Sequence, residues 1–339
     1  MKASFLLLGA FIHGFSCWLG GAALPPTQNF EALYVFGDSL DATYGGPYWQ
    51  GRWSNGQMWP ELLSTNLGFP YRAANNRASG GATSAQILTQ VSALPAPTNA
   101  GSALFVVDVG HQDFLNQTPL TISNTLRTVT LNLSNSVVEC RRKGGRAVAL
   151  MSMWDPNHSP RLARQITDPA FMRARTQQIN TNFMALADQL STSYPDLRLC
   201  WIDLFALFDA MVVHADHFGF TRTDMGALED PALTDKSYQG PGREYMFWDS
   251  SHLTSKGHAL VAKVFLATLR GSNLGIRPET DGFRLAFDSL QIGKTYHVQQ
   301  SPELAQWEDL TSFYGLDPSY ELVVSPNPPR RFYRLLCEQ

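Results

Sequence analysis

From residue 31 onward, short runs of β-branched and apolar residues alternate with longer segments whose apolar positions recur at helical spacing. That alternation marks a parallel sheet with helices on both faces. It predicts strands over residues 33–36, 71–74, 104–109, 147–151 and 197–202, and helices over 58–66, 84–93, 120–142 and 169–193, with a further helix over 255–270. Ser84 is placed to cap the second of these helices, and Gly144-Gly145 to stop the third. In such sheets ligands bind at the carboxyl ends of the strands, so the residues that follow each strand are the ones to read for chemistry.

The pattern changes at both ends of the chain. Residues 271–278, Gly-Ser-Asn-Leu-Gly-Ile-Arg-Pro, read as a linker, after which alternating runs at 283–287, 295–299, 320–324 and 331–335 predict a small antiparallel β module. At the start, Lys2 precedes an apolar run over 5–19 and a small-residue stretch, Gly21-Ala22-Ala23, before Leu24-Pro25-Pro26. This reads as a secretory signal peptide, and it implies a secreted or periplasmic protein. The expected division is therefore a leader over 1–23, a large domain over 24–272 and a β module over 273–339. No later stretch is long and apolar enough to span a bilayer.

Composition narrows the partners. With 44% hydrophobic and 16% charged residues in 339, the chain can bury a substantial core and is neither disordered nor fibrous. A net charge of -3 provides no basic field for a phosphate backbone, which argues against nucleic acid. Only six of the 26 cationic residues are Lys, which argues against a polybasic membrane patch. Cys17 falls in the leader; Cys140, Cys200 and Cys337 form neither a disulfide framework nor a Cys-x-x-Cys metal pair.

Four blocks carry candidate chemistry. Phe36-Gly37-Asp38-Ser39-Leu40 follows the first strand and sets a hydroxyl at the top of the sheet, as a nucleophile or as an ordinary turn serine. Asp249-Ser250-Ser251-His252 offers a base, since three-residue spacing in a turn lets a carboxylate orient the imidazole while its other nitrogen faces the serine. Asn75 to Ser84 contains Ser79-Gly80-Gly81 just before a helix, where exposed N–H groups suit a developing negative charge. Val109-Gly110-His111-Gln112-Asp113 puts an amide side chain after the expected third strand. No Gly-x-Ser-x-Gly elbow is present. The candidate metal clusters, Asp155 with His158 and His214 with Asp216 and His217, lack the i, i+4 histidine pair of a helical zinc site.

Taken in order, the four blocks resemble those of the GDSL or SGNH hydrolases, a lipase and esterase family, over residues 30–270. Gly51-Arg52-Trp53-Ser54-Asn55-Gly56 extends the likeness to the Gly-Arg-Phe-Ser-Asn-Gly stretch of larger secreted and plant-type members. The resemblance implies a flavodoxin-like three-layer α/β/α fold and a serine esterase that needs no cofactor. Carried over by position, it makes Ser39 the nucleophile, Asp249 and His252 the rest of a triad, and Ser39 N–H, Gly81 and Gln112 the oxyanion donors, with Gly80 beside Gly81. The third block departs from the family's Gly-x-Asn-Asp: Gln112 adds a methylene where asparagine is usual, and His111 is the neighbouring alternative. The tail, with Ser301-Pro302-Glu303-Leu304 and Trp307, resembles small β modules appended to secreted bacterial enzymes. The implied substrate is a carboxylic ester, either a short acyl group on a glycan or alcohol, or a lipid. The rival expectation is a carbohydrate-binding or surface-adhesion protein on a degenerate hydrolase scaffold. Tyr44, Tyr48, Trp49, Trp53, Trp59, Trp154 and Trp248 lie near the blocks, as pocket walls or as core.

Overall fold

The structure, a computed structural model, describes residues 29–114, 122–280, 282–325 and 331–338. The expected leader over 1–23 and the predicted helix start at Leu120 lie outside the described residues. Those described form two compact units, 29–266 and 267–338.

In the first unit a four-stranded parallel sheet is built from β1 (Ala32–Phe36), β2 (Ala103–Val107), β3 (Ala147–Met151) and β4 (Arg198–Ile202), in that spatial order. Every residue of β1, β2 and β3 is buried, as expected for strands covered on both faces. The register pairs Phe36 with Val107, Val107 with Leu150, and Met151 with Ile202, so the carboxyl ends are level and the loops that follow emerge at one edge.

The helices are α1 (Trp59–Asn66), α2 (Ser84–Ala93), α3 (His111–Phe114), α4 (Ile122–Arg142), α5 (Pro160–Ala163), α6 (Pro169–Ser193), α7 (Leu204–Val213) and α8 (Ser255–Arg270). One sheet face packs Tyr34, Phe36, Phe105 and Val107 against Ile87 of α2, Val137 of α4 and Phe183 of α6. On the other face α1 packs on β1, and Trp59 stacks on Phe265 of α8 at 4.5 Å. The three-layer α/β/α architecture follows from these two coverings.

Three local expectations are corrected. Residues 71–74 do not form a strand: Arg72, Ala73 and Ala74 are exposed, and a 3₁₀ turn spans Ala73–Asn75. The chain joins the edge of β1 only afterwards, where Arg77 N–H donates to Val35 O at 2.8 Å and Ser79 N–H to Gly37 O at 3.1 Å. The cause is the buried side chain of Asn76, which accepts Ala78 N–H and donates to Asp41 O, turning the backbone locally instead of leaving it to a ladder. The cap of α2 is Thr83, not Ser84, because Thr83 N–H and Gln86 Oε1 form the reciprocal box at 2.9 Å. α7 escaped the sequence pattern because Leu-Phe-Ala-Leu-Phe-Asp-Ala-Met-Val-Val is apolar almost all round and has no polar stripe. The stop at Gly144-Gly145 forms as expected, with their N–H groups on Arg141 O and Cys140 O. Two short strands, β5 (Arg222–Gly226) and β6 (Tyr245–Phe247), pair in parallel.

The second unit contains β7 (Asn273–Glu279), β8 (Gly282–Asp288), β9 (Thr295–Ser301), β10 (Glu308–Tyr314), β11 (Ser319–Val324) and β12 (Phe332–Cys337). They make two three-stranded antiparallel sheets, β11-β8-β7 and β10-β9-β12, around one core that includes Leu285, Phe287, Tyr296, Val298, Tyr333 and Leu335. The expected linker over 271–278 is instead largely β7, paired Leu274 to Phe287 and Ile276 to Leu285. Its Gly and Pro masked a two-residue apolar alternation that packs on the same core. No disulfide forms among Cys140, Cys200 and Cys337.

Candidate active site

The loop after β1 presents Ser39. A Cβ on Gly37 would stand 1.8 Å from Asp41 Oδ2, so glycine is what lets the Asp41 carboxylate reach back beneath the turn. There Asp41 Oδ2 accepts Asp38 N–H at 3.1 Å, and its Oδ1 accepts Trp59 Nε1–H at 3.0 Å. Asp38 in turn accepts Leu40 N–H on Oδ1 at 2.9 Å. Backbone and side-chain bonds on both sides of Ser39 thus fix the turn, and Ser39 itself is half-buried and lines a cavity.

His252 comes from the loop before α8. His252 Nδ1 lies 2.7 Å from Asp249 Oδ2, while Asp249 Oδ1 accepts Ser251 N–H at 2.7 Å and His252 N–H at 2.8 Å. Tyr48 O–H, from a loop 201 residues away, donates to Oδ2 at 2.7 Å. Burial alone would raise the Asp249 pKa, but hydrogen bonding and charge from His252, with Tyr48 and Ser251, outweigh it and hold the carboxyl at about 2. A carboxylate on Nδ1 selects the tautomer that leaves Nε2 able to accept a proton. Trp53 lies against the His252 ring, 4.9 Å between centroids, and its own space exists because Gly80 has no side chain: a Cβ there would stand 2.5 Å from the indole. The Gly51-Arg52-Trp53-Ser54-Asn55 stretch braces this loop directly, with Ser54 Oγ donating to Leu253 O and Asn55 Oδ1 accepting Ser255 N–H at the start of α8.

Ser39, Gly80, Gly81, Gln112 and His252 line the same cavity. Among the described residues, neither Ser39 N–H nor Gly81 N–H is donated to an acceptor. No hydrogen bond joins Ser39 Oγ to His252 Nε2 among them either; such contacts commonly tighten only when substrate binds. Gln112 Nε2 donates to Asp38 Oδ2 at 3.1 Å, which ties the third block to the nucleophile turn. His111 is buried, which lowers its pKa; its Nε2 accepts Trp154 N–H at 3.4 Å and its Nδ1 faces Asp108 at 3.6 Å. Asp113 accepts both N–H and Oγ–H of Ser84, joining the third block to the first turn of α2.

The cavity measures about 540 Å³. Away from Ser39 the wall carries the apolar Phe114, Trp154, Leu162, Ile166, Phe171 and Met172, interspersed with the polar Arg161, Gln165, Thr167 and Asp168. The loop after β3, which carries Trp154, is braced by Arg173: its guanidinium bonds Asp155 at 2.6 Å and also Asp209, which meets His158 Nε2 at 2.6 Å. Of the sequence's metal candidates, Asp155 and His158 therefore do come together, but around an arginine that already pairs with Asp155 and Asp209.

Several participants carried no readable signal. Tyr48 stood out only as an aromatic near a block, and Trp53 only as another and as one residue of the Gly51–Gly56 stretch, with no role of its own; Trp59 and Trp248 from the same aromatic group are wholly buried. His258, one turn into α8, lines the cavity, and burial followed by the nearby His252 pushes its pKa down to about 3.

A parallel sheet with a serine turn after its first strand and a carboxylate-held histidine before its last helix defines a class of hydrolases. Residues 33–265 match the family described as GDSL-like Lipase/Acylhydrolase, and the chain belongs to that family. It is accordingly a carboxylic ester hydrolase acting on small-molecule substrates. Among curated relatives, the thermolabile hemolysin of Vibrio parahaemolyticus is 21% identical over 290 residues, covering 76% of this chain and 68% of that one. A GDSL esterase/lipase of Arabidopsis thaliana is 27% identical over 99 residues, covering 27% of each. Among solved structures, an acetyl xylan esterase is 12% identical with a TM-score of 0.44, covering 70% of this chain and 98% of that one. No helix among the described residues is long and apolar enough to cross a membrane.

Proposed function

We propose that the protein is an exported serine esterase whose triad is Ser39, His252 and Asp249. The observation that carries the reading is the 2.7 Å contact of His252 Nδ1 with Asp249, together with the shared cavity that His252 and Ser39 line. Ser39 Oγ attacks the ester carbonyl as His252 Nε2 takes its proton; the tetrahedral oxyanion is held by the N–H groups of Ser39 and Gly81 and by Gln112; His252 then protonates the leaving alcohol and activates water. Asp249 keeps its charge throughout and stabilises the imidazolium. Both ring nitrogens of His111 face protein groups, which favours Gln112 over His111 as the third donor. Export rests on the leader read over residues 1–23.

The apolar side chains of the wall, Phe114, Trp154, Leu162, Ile166, Phe171 and Met172, support an acyl group of several carbons over a short acetyl. The alternative of a non-catalytic binding protein is disfavoured by the donor-saturated Asp249 and its oriented histidine, which binding alone does not call for. A p-nitrophenyl ester series tests the reading: kcat/KM should rise by about fourfold per methylene, the worth of about 0.8 kcal/mol of buried CH₂, until the wall is reached. A flat series, or activity retained by Ser39→Ala, would overturn it.

A further inference from the structure

Beneath the nucleophile turn, carboxyl oxygens of Asp38, Asp41 and Asp108 lie within 4.8 Å of one another, and the three residues are 5%, 0% and 1% exposed. Among the described residues no Lys or Arg pairs with any of them. Three buried negative charges without a cation are not sustainable at neutral pH, because each repels the others where no water screens them.

Counting donors decides which carboxyl is neutral. Asp38 accepts Leu40 N–H and Gln112 Nε2–H. Asp41 accepts Asp38 N–H and Trp59 Nε1–H. Asp108 accepts nothing: neither of its oxygens has a hydrogen-bond donor. Its nearest candidate is His111, whose Nε2 accepts Trp154 N–H and whose Nδ1 stands 3.6 Å from Asp108 Oδ1, beyond a hydrogen bond. Yet a carboxyl oxygen of Asp108 lies within 4.8 Å of one of Asp41, both side chains buried. Two carboxylate oxygens are both acceptors, so that contact is attractive only with a proton between them.

We propose that Asp108 is a neutral carboxylic acid that donates a hydrogen bond to Asp41 and so holds the turn that presents Ser39, which makes Asp108 a positioning residue for the site. The donor chain runs from Asp108 O–H to Asp41, which grips Asp38 N–H, the amide one residue before the nucleophile. Burial, then the Asp41 and Asp38 charges, push the Asp108 pKa up, and burial and Asp38 also raise Asp41; since Asp41 already accepts two N–H groups and Asp108 none, the donor count places the proton on Asp108. The titratable groups facing it are Asp38 and Asp41 from the first loop and His111 from α3. Asp113 lies farther along the same side and is bound to Ser84. The positioning role rests on the proposed use of Ser39; the proton itself does not.

The test separates the two. Infrared difference spectra of the full-length protein at neutral pH, wild type minus Asp108→Asn, should show a protonated-carboxyl C=O band, and Ser39→Ala should show the same band. Asp108→Ala should lower kcat by about tenfold or more with KM nearly unchanged, and Asp108→Asn, which keeps an N–H donor in the same place, should restore most of the loss. Because a raised carboxyl binds its proton more tightly when folded, wild type loses stability as pH rises above about 4 toward the raised value, and Asp108→Asn, which lacks the Asp108 contribution, loses less. Its melting temperature relative to wild type should therefore climb over that range. Absence of the band overturns the proposal. So does one equivalent of tightly bound calcium or magnesium in wild type that is lost in Asp108→Asn together with activity, since the cluster would then be a cation site. Activity retained by Ser39→Ala with the band present would defeat the triad and leave the proton standing.

Discussion

At the His252 end of the site, Asp249 accepts four hydrogen bonds and carries one charge shared with a histidine; at the Ser39 end, Asp38, Asp41 and Asp108 crowd three carboxyls together and one of them accepts nothing from the described residues. Both arrangements immobilise a loop after a strand or before a helix, but through opposite economies. The first fixes its loop by satisfying an anion so fully that its pKa falls to about 2. The second buries three carboxyls together, and burial with their mutual charges pushes Asp41 and Asp108 upward. The difference teaches where each end is vulnerable: the His252 end to loss of a donor, the Ser39 end to loss of a proton.

The largest effect should come from cutting the axis that joins the two ends. Ser39→Ala and Asp249→Asn should each lower kcat by about a thousandfold or more, with a serine-directed phosphonate labelling Ser39 in wild type and a chelator leaving activity unchanged. General-base catalysis needs a neutral imidazole, so activity should rise with pH. Neither His111 nor His258 can supply that limb, since burial lowers both.

Gln112 spans the comparison, because its amide bonds Asp38 while lining the cavity. Gln112→Ala should lower kcat by about a hundredfold with a smaller change in KM, the usual loss when one oxyanion donor is removed. A change within about twofold would confine Gln112 to bracing Asp38, and a large kcat loss in His111→Ala would move the third donor to the imidazole.

Tyr48→Phe probes the His252 end alone. Loss of one donor to a half-buried carboxylate should lower kcat by about tenfold, and it should also move an acid transition. The depressed carboxyl of Asp249 contributes stability that is present above about 4 and lost as pH falls toward about 2; without the Tyr48 hydroxyl that loss should begin at higher pH, visible in melting temperatures between pH 2 and pH 5. An unchanged acid limb would show that Tyr48 contributes nothing to the Asp249 charge.

The smallest effect should be on the far side of residue 272. A chain ending at Ser272 keeps all four blocks, and it should hydrolyse a soluble ester within about twofold of the full chain. Aggregation of that shorter chain would show that the β unit is needed for folding, and loss of activity on an insoluble ester alone would make it a targeting element.

The parallel strands, most of the long helices and the partnership of Asp249 with His252 were legible in the sequence because each rests on local spacing. A run buried on both faces is apolar throughout, an amphipathic helix repeats every three or four residues, and an i, i+3 pair in a turn meets without help from the rest of the chain. What local spacing cannot encode was decided by the tertiary structure. The strand read at 71–74 yielded to a buried Asn76 that bonds Asp41, the linker at 271–278 became β7 because Leu274 and Ile276 found a core to pack on, and Tyr48 reached Asp249 across 201 residues. The same holds for Asp38, Asp41 and Asp108. Two of them share a motif and the third sits 67 positions beyond Asp41, after a different strand, so nothing in the order of residues announces the cluster. Only the level ends of β1 and β2 bring them together, because neighbouring parallel strands deliver their following residues to the same place.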